Sequence, residues 1–258
     1  MDQLVLITGA AGNMGRMLRD GLRRPMRLTD SVPEEGCARA SVTDLDAMRA
    51  AMRGVSAVVH LAGITDEDTW ERIVDVNVDG TRTVLEAARL EGVRQVVLAS
   101  SNHAVGFQER GTGELPGDVP ARPDTYYGFS KAAGEALGAL YHDRFGMNVV
   151  CLRIGTCYDK PFDVRSLSTW LSPADAVRLV DAALDAEGYH LVWGVSDNTR
   201  RWWSLETGKK IGYEPQDDAE VFAAEMEAKA AGDRAADLGG RYVGGFFCAL
   251  PLGQPPVG

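Results

Sequence analysis

The sequence TYYGFSK, residues 125–131, places two tyrosines shortly before a lysine. Side chains four positions apart lie on one face of a helix, so Lys131 is expected above Tyr127, whereas Tyr126 points further round. An unperturbed phenol titrates at about pH 10, and a neighbouring ammonium ion lowers that pKa by favouring the phenolate. The spacing therefore indicates Tyr127 as a proton acceptor and Lys131 as the group that tunes it.

A hydroxyl that can assist this pair follows a strand-like segment. The apolar run at residues 96–99 leads directly into Ser100 and Ser101. Ligands of a doubly wound sheet bind beyond the carboxyl ends of its strands. Ser101 is therefore a candidate donor to a reacting oxygen.

A glycine-rich turn near the start of the chain predicts a dinucleotide site. The sequence TGAAGNMG lies between an apolar strand and a helix, the context in which this pattern is informative. Gly9 permits a tight turn, Gly12 lets the backbone approach a pyrophosphate, and Gly15 lets the helix pack closely on the strand. Asn13 and Met14 open the helix, whose amino terminus attracts phosphate.

Asp30 lies about twenty residues further on, at the end of the second predicted strand. A carboxylate there can accept hydrogen bonds from both ribose hydroxyls and repels a 2′-phosphate. Arg16 could in principle bind such a phosphate, but with Asp30 present we interpret it as a surface or packing residue. The predicted cofactor is therefore NAD rather than NADP.

Strand-like and helix-like segments alternate through the first part of the chain. Apolar runs predict strands at 4–7, 27–30, 57–61, 96–99 and 149–153, and helical periodicity predicts helices at 14–22, 45–52, 70–91 and 127–145. Strands separated by helices imply right-handed crossovers and a parallel sheet. The predicted fold class is α/β, a Rossmann-type doubly wound parallel sheet.

The alternation loosens towards the carboxyl end. The remaining predictions are a helix at 175–184, a strand at 190–194 and an alanine-rich, acidic helix at 219–237. We interpret residues 1–258 as a single domain. Residues 1–156 would form an NAD-binding core, and residues 157–258 a small substrate-binding cap with the C-terminal elements.

Composition argues against several classes of function. A net charge of −10 disfavours binding to nucleic acid or to anionic membranes. The apolar runs are strand-sized and the start carries no secretory pattern, so a cytoplasmic protein without a membrane anchor is predicted. The cysteines are too scattered for zinc pairs, so thiols and no metal site are expected. They are Cys37, Cys151, Cys157 and Cys248.

Five motifs occur together in this chain. They are the glycine loop, His60-Leu61-Ala62-Gly63, Asn77 followed by Gly80-Thr81, Ser100-Ser101, and Tyr127-x-x-x-Lys131. Together they resemble the short-chain dehydrogenase/reductase superfamily, in its extended or epimerase-like branch. Further segments resemble the uronate dehydrogenases over nearly the whole chain, at residues 99–103, 120–124, 153–157, 167–170 and 192–194.

The resemblance implies NAD-dependent oxidation of a hexuronic acid at C1, giving the aldaric acid lactone and NADH. Tyr127 would take the proton from the anomeric hydroxyl, Ser101 would steady the reacting oxygen, and Lys131 would tune the tyrosine. Arg165 occupies the family's arginine position, and a guanidinium suits the substrate carboxylate. The sequence does not rank galacturonate against glucuronate.

The same resemblance implies further site residues. The cofactor set adds Ser41, Val42, Leu61, Ala62 and Gly63 to the glycine loop, Asp30, Tyr127 and Lys131. The sugar set adds Thr65, Asn102, His103 and Thr156 to Ser101, Tyr127 and Arg165. His103 is either a sugar contact or a structural histidine, and Asn77 is expected to stabilise the local helix geometry.

Two departures from the family pattern bear on the ligands. Ser41 stands where many relatives carry an aspartate beside the adenine. The chain is also short for the extended branch, which favours a free monosaccharide over a nucleotide-diphosphate sugar.

Two alternatives stay open. One is another enzyme of the same branch, such as a nucleotide-sugar epimerase or dehydratase, a sugar lactone reductase or another sugar dehydrogenase. The other is a dinucleotide-sensing binding module, although such proteins usually lose the tyrosine or the lysine. The family also implies a homo-oligomer, with the helices predicted at 70–91 and 127–145 packed between subunits.

Overall fold

A parallel sheet of seven strands runs through the part of the chain described by the computed structural model, residues 3–230 and 241–255. Its strands are β1 (Val5–Thr8), β2 (Met26–Asp30), β3 (Ala38–Arg39), β4 (Ala57–His60), β5 (Gln95–Ser101), β6 (Asn148–Ile154) and β9 (Tyr189–Gly194). Two further strands, β7 (Thr156–Cys157) and β8 (Trp170–Leu171), form a separate small sheet. The order across the sheet is β3-β2-β1-β4-β5-β6-β9, with every neighbouring pair parallel.

Helices connect these strands. They are α1 (Asn13–Gly21), α2 (Leu45–Met52), α3 (Trp70–Ile73), α4 (Gly80–Leu90), α5 (Tyr126–Phe145), α6 (Ser166–Thr169), α7 (Pro173–Leu184), α8 (Glu206–Lys210) and α9 (Ala223–Ala230). Short polar side chains fix several starts: Asp44 caps α2, Thr125 caps α5 and Ser172 caps α7. Gly146, at φ +65°, ends α5 in the left-handed conformation that glycine adopts without strain.

The strand order confirms the predicted doubly wound α/β fold. From β1 the chain first builds β2 and β3 on one side, and then crosses over to β4, β5, β6 and β9 on the other. The crossover leaves a crevice at the carboxyl ends of β1 and β4, where open α/β sheets bind their ligands. The glycine loop follows β1 directly and therefore lies at this crevice.

Each face of the sheet is covered by its own apolar layer. On one face Ile7 and Val59 pack with Leu18 of α1 and Leu179 of α7. On the other face Leu6 and Val58 pack in a second cluster, with side chains from α2 and α4. All four residues of β1 are buried, as expected for a strand covered on both sides.

Three elements differ from the predicted boundaries. The helix predicted at 70–91 consists of α3, a π-helical segment at Val74–Asp79, and α4. The strand predicted at 96–99 extends to Ser101, so both serines belong to β5. Of the helix predicted at 219–237, residues Ala219–Phe222 form a 3₁₀ turn and α9 ends at Ala230, while residues 231–237 lie outside the described residues.

The chain after β6 adds β9 and α7 to the main sheet and its core, and also forms a smaller unit of its own. This unit is a third apolar cluster that joins Leu167, Trp170, Ala219, Ala223 and Met226. Trp193 of β9 stacks on Trp203 with ring centroids 4.4 Å apart. None of the helices within the described ranges is long and apolar enough to cross a membrane.

Candidate active site

A cavity of about 800 Å³ opens at the carboxyl ends of the strands. Six segments of chain line it. They are the glycine loop (9–15), the loop after β4 (61–65), the end of β5 and the turn after it (99–103), the start of α5 (127–131), the region after β6 (154–165), and a C-terminal segment (244–247). Residues far apart in the sequence therefore meet in one space.

The glycine loop leaves an open helix start at the floor of this cavity. Gly9 has φ +72°, and a Cβ atom there would lie 2.5 Å from the backbone nitrogen of Ala62. A Cβ atom on Gly15 would lie 2.6 Å from the Gly9 carbonyl oxygen, so helix and loop pack too closely for any side chain. Gly12 precedes α1 and has no side chain to cap it. The first N–H groups of α1 are thus available to a phosphate.

Asp30 is fixed against the glycine loop. Its Oδ2 atom accepts a hydrogen bond from the Ala11 backbone N–H at 2.9 Å, and its Oδ1 atom accepts one from the Val32 N–H at 3.1 Å. Asp30 does not line the main cavity, and neither do three further residues predicted for the cofactor, Ser41, Val42 and Ala62. Ser41 hydrogen-bonds Thr43, Val42 packs against Gly80, and Ala62 lies against Gly9.

The π-helical segment shapes the loop after β4. The Asn77 side chain accepts a hydrogen bond from the Ile64 N–H at 2.7 Å, and donates to the Ile64 carbonyl at 2.9 Å and to the Ser130 hydroxyl at 3.0 Å. This loop carries Leu61, Gly63 and Thr65 to the cavity wall. Asn77 therefore ties the loop to α5 and positions its residues.

Tyr127, Lys131 and Ser101 come together at the cavity. Tyr127 and Lys131 are one turn apart near the start of α5, and the Lys131 Nζ atom lies 5.5 Å from the Tyr127 ring centroid. Nζ also donates to the Ala99 carbonyl of β5 at 2.8 Å. Ser101, at the end of β5, hydrogen-bonds Tyr127 through its side chain and accepts a hydrogen bond from the His103 N–H at 3.2 Å.

The neighbouring tyrosine has a different environment. Tyr126 packs edge-on against Trp70, with ring centroids 5.2 Å apart. It does not line the cavity, whereas Tyr127 does. The geometry therefore leaves Tyr127 as the phenol available for chemistry.

Burial controls the ionisation of both groups. It raises the pKa of Tyr127 to about 12, and the hydrogen bond with Ser101 acts in the opposite direction. Burial also lowers the pKa of Lys131 to about 8. Desolvation of the phenolate is therefore the largest effect on this phenol in the chain on its own. The tuning of Tyr127 by Lys131 stays a prediction.

A neutral histidine lies beneath the pair. His60 is buried at the end of β4, with Nδ1 2.8 Å from the Thr8 hydroxyl and Nε2 3.2 Å from the Thr81 hydroxyl. Burial, with a smaller effect from the Lys131 charge, lowers the pKa of His60 to about 3. His60 therefore joins β1, β4 and α4 without adding charge to the site.

Arg165 brings a cation to the cavity wall. It immediately precedes α6, and its Nη2 group donates a hydrogen bond to the Val243 carbonyl. Its Nε atom is buried and has no hydrogen-bond partner among the residues that the structure describes. Burial lowers the pKa of Arg165, but a guanidinium remains charged at neutral pH. A buried cation of this kind is suited to an anionic ligand.

The other predicted sugar contacts line the same cavity: Thr65, Asn102, His103 and Thr156. Asn102 donates to the Val243 carbonyl at 3.2 Å. His103 Nδ1 lies 2.7 Å from the buried Asp124 carboxylate, which accepts a hydrogen bond from Nδ1–H and so leaves Nε2 as the acceptor in the neutral ring. The Thr156 and Thr169 hydroxyls are 2.9 Å apart.

The C-terminal wall of the cavity was not predicted from the sequence. Gly244, Phe246 and Phe247 line the cavity, and Phe247 stacks on His103 with ring centroids 4.0 Å apart. A Cβ atom on Gly244 would lie 1.9 Å from an Asp124 oxygen, so only glycine fits there. The paired glycines and phenylalanines at residues 244–247 were the available signal, since close backbone approach requires glycine.

Glu67 was also missed. It is 1% exposed, and its carboxylate accepts hydrogen bonds from the Tyr127 N–H at 3.0 Å and from the Gly253 N–H at 2.8 Å. A carboxylate at a helix amino terminus stabilises the helix. Glu67 thus holds the start of α5 and the C-terminal segment together, through contacts that no local motif reveals.

Comparisons with known proteins identify the family of this chain. A model of the NAD dependent epimerase/dehydratase family matches residues 5–203. The uronate dehydrogenase of Pseudomonas putida is 38% identical over 255 residues, which cover 94% of both chains. The NAD-dependent glucose-6-phosphate dehydrogenase of Haloferax volcanii is 37% identical over 257 residues, covering 88% of this chain and 98% of that one.

The fold is equally similar to a solved structure. A crystal structure of uronate dehydrogenase from Agrobacterium tumefaciens, a tyrosine-to-alanine variant complexed with NAD, has a TM-score of 0.89 and 36% identity, covering 96% of this chain and 98% of that one. The family match at residues 5–203 includes every strand of the main sheet described above, together with the glycine loop and α5. The chain therefore belongs to the NAD dependent epimerase/dehydratase family.

Proposed function

We propose that this protein oxidises a hexuronic acid, galacturonate or glucuronate, at C1 with NAD, giving the aldaric acid lactone and NADH. The observation that carries the proposal is the position of Arg165. The half-buried Arg165 side chain lines the same cavity as the glycine loop and the Tyr127–Lys131 pair, and its Nε atom is buried without a hydrogen-bond partner among the described residues. An acid sugar can therefore be held by its carboxylate while its other end faces the tyrosine.

The residues present fit the cofactor. The open amino terminus of α1 and the absence of a side chain at Gly12 suit a pyrophosphate, and Asp30 beside the loop suits a ribose. Lys131 lies within the same cavity and can hold the second ribose. When bound, NAD supplies the acceptor for the C1 hydride and a positive ring charge that favours the Tyr127 phenolate.

The chain's own groups handle the proton. The Tyr127 Oη atom takes the proton of the anomeric hydroxyl, and the Ser101 hydroxyl holds the same oxygen in place. Before this transfer, the Lys131 ammonium stabilises the negative charge of the Tyr127 phenolate, and after it the phenol is neutral. Because Tyr127 is buried, water does not compete for this proton transfer.

The substrate is oriented from its opposite end. A guanidinium binds a carboxylate through paired, charge-assisted hydrogen bonds, so Arg165 fixes C6 and thereby places C1. The short polar groups of Thr65, Asn102, His103 and Thr156 line the space between and can pair with ring hydroxyls.

A hexose 6-phosphate is the second candidate substrate, because the Haloferax relative is named for glucose 6-phosphate. Arg110 adds support, since the Arg110 guanidinium lies 3.6 Å from the Trp202 ring centroid and that of Arg165 lies 5.4 Å from it. Two cations suit a dianion better than one. However, Arg110 does not line the cavity and Arg165 does, which favours the singly charged carboxylate.

A substrate panel tests the proposal. The purified protein is mixed with NAD and, in separate reactions, galacturonate, glucuronate, galactose, glucose, glucose 6-phosphate and a nucleotide-diphosphate sugar, and NADH absorbance is followed. Net NADH is expected with the uronates and not with the neutral sugars. Turnover of glucose 6-phosphate alone would select the second candidate, and conversion of the nucleotide sugar without net NADH would indicate an epimerase.

Three further expectations remain part of the proposal. We propose residues 1–156 as the cofactor core and 157–258 mainly as the sugar cap, although Thr65 and residues 101–103 of the core also face the sugar space.

A cytoplasmic location is supported by four free cysteines, which suit a reducing compartment. A homo-oligomer is supported by exposed apolar side chains along α5.

A further inference from the structure

Three charged side chains form a cluster beside the adenosine end of the cofactor site: Arg16 and Arg19 on α1, and Glu34 in the loop after β2. One Glu34 oxygen lies 3.2 Å from Arg16 Nη2 and the other lies 3.2 Å from Arg19 Nη1. The two arginines are three positions apart, close to one helical turn, and therefore share a face of α1. A single carboxylate thus engages both guanidinium groups.

The cluster adjoins the residues expected to hold the ribose. The Arg16 N–H donates to the Gly12 carbonyl at 3.0 Å, so Arg16 belongs to the first turn after the glycine loop. Asp30 is bonded to the same loop through Ala11. Asp30 is the last residue of β2, and Glu34 lies four positions later in the loop that follows. Asp30 and the cluster therefore flank the same side of the glycine loop.

Guanidinium groups at this position are what a 2′-phosphate requires, because they form paired, charge-assisted hydrogen bonds to phosphate. Here both already have a carboxylate partner. Hydrogen bonds from Arg16 and Arg19 hold the pKa of Glu34 below its usual value, so the carboxylate is ionised at neutral pH. Glu34 therefore reduces the charge of the cluster from +2 to +1 and occupies donors of both guanidinium groups.

We infer that Glu34 is a second determinant of the preference for NAD over NADP, acting by occupying the two arginines that would otherwise bind the 2′-phosphate. Asp30 repels the 2′-phosphate directly, whereas Glu34 pairs with the two arginines that could bind that phosphate. This inference rests on the cofactor of the proposed function and on no feature of the sugar site.

The two mechanisms predict a distinctive coupling. Asp30→Ser removes the repulsion but leaves the arginines paired, so NADP affinity is expected to rise only slightly. Glu34→Gln frees the arginines but leaves Asp30 in place, so it too is expected to have little effect. In the double variant, the gain in NADP affinity over the wild type should exceed the product of the gains in the two single variants by about tenfold or more. This factor corresponds to one charge-assisted hydrogen bond.

The test measures the dissociation constants of NAD and NADP directly, by calorimetry, for the wild type, both single variants and Asp30→Ser/Glu34→Gln. Asp30→Ser/Glu35→Gln is the matched control, because it removes the same charge one residue away. The Glu35 backbone carbonyl, which accepts from Arg19 at 3.1 Å, is retained in that control. An NAD constant within a few-fold of wild type for Glu34→Gln shows that the site remains folded.

A gain in NADP affinity in the double variant, absent from the control and lost again when Arg16 and Arg19 are both replaced by alanine, would support the inference. Purely additive single effects, an equal gain in the Glu35 control, or a gain that survives removal of both arginines would each overturn it. Uronate oxidation is assayed separately. A chain that binds NAD but oxidises no uronate contradicts the proposed function and leaves this test intact.

Discussion

At the scale of the residue, two adjacent tyrosines differ entirely in what they can do. Tyr127 faces the cavity, hydrogen-bonds Ser101 and lies one turn before Lys131. Tyr126 packs against Trp70 on the outer side of α5. The helical spacing to the lysine was sufficient to distinguish them from the sequence.

Replacing Tyr127 with phenylalanine is expected to lower kcat with a uronate by at least about a hundredfold, the usual contribution of a positioned proton acceptor. The ring and its packing are kept, so the dissociation constant of NAD should change little. Tyr126→Phe is the control and should retain nearly full activity. A Tyr127→Phe enzyme with wild-type turnover would refute the assigned role.

Replacing Arg165 with lysine keeps the charge but loses the paired donors. The KM for galacturonate or glucuronate is expected to rise about tenfold or more, because a hydrogen bond to a charged group is lost. The KM for NAD is the internal control and should be unaffected. An unchanged KM for the uronate would show that another group binds the carboxylate.

Recognisable motifs predicted the candidate site residues that the structure brings to the cavity, but no motif predicted Glu67 or Asp124. Glu67 contacts the N–H groups of Tyr127 and Gly253, which are 60 and 186 positions away. Asp124 holds His103, and three glycines leave room for it. Contacts of this kind depend on tertiary packing, which no local spacing encodes.

At the scale of the element, the alternation of strands and helices was predictable because both periodicities are strong in this chain. The π-helical segment at Val74–Asp79 was not, since it depends on Asn77 bonding to Ile64 across a loop. The turn after β5 was also outside the prediction, because residues 102–125 carry neither helical nor strand periodicity.

His60 should make the junction of β1, β4 and α4 sensitive to acid. Its pKa is about 3 in the folded chain against 6.5 for the unperturbed group. Between these values the unfolded state binds a proton that the folded state does not, so stability falls as pH falls. The effect is absent above about pH 6.5.

His60→Gln is expected to flatten this dependence. The free energy of unfolding in urea is measured at about pH 7 and about pH 5. Its decrease between these two values should be larger for the wild type than for the variant, by up to about 1.4 kcal/mol per pH unit, the value for one proton. His190→Gln, at a half-buried position of β9, is the control and should follow the wild type. Parallel pH profiles for wild type and His60→Gln would show that the histidine is protonated in the fold.

At the scale of the whole molecule, the outer face of α5 is unusually apolar. Phe129, Ala136 and Leu140 share this face at helical spacing, and Trp70 packs on Phe129 with ring centroids 5.4 Å apart. Phe129 is 39% exposed and Leu140 is 54% exposed. Contiguous exposed apolar surface is typical of a subunit interface.

Leu140→Glu is therefore expected to shift the protein from an oligomer towards a monomer in sedimentation velocity, because a charge would be buried in the contact. Val221→Glu is the control, since Val221 is 80% exposed and belongs to a different surface. A wild-type protein that sediments as a monomer would exclude this interface, as would an oligomer unaffected by Leu140→Glu.

The C-terminal segment has a consequence for biosynthesis. The glycine loop and every strand of the sheet precede residue 195, whereas Gly244, Phe246 and Phe247 come some fifty residues later. Because a growing polypeptide folds from its amino end, the sheet and the glycine loop leave the ribosome well before the C-terminal wall of the cavity. A translation product that stops short of residue 244 would therefore carry the glycine loop but lack that wall.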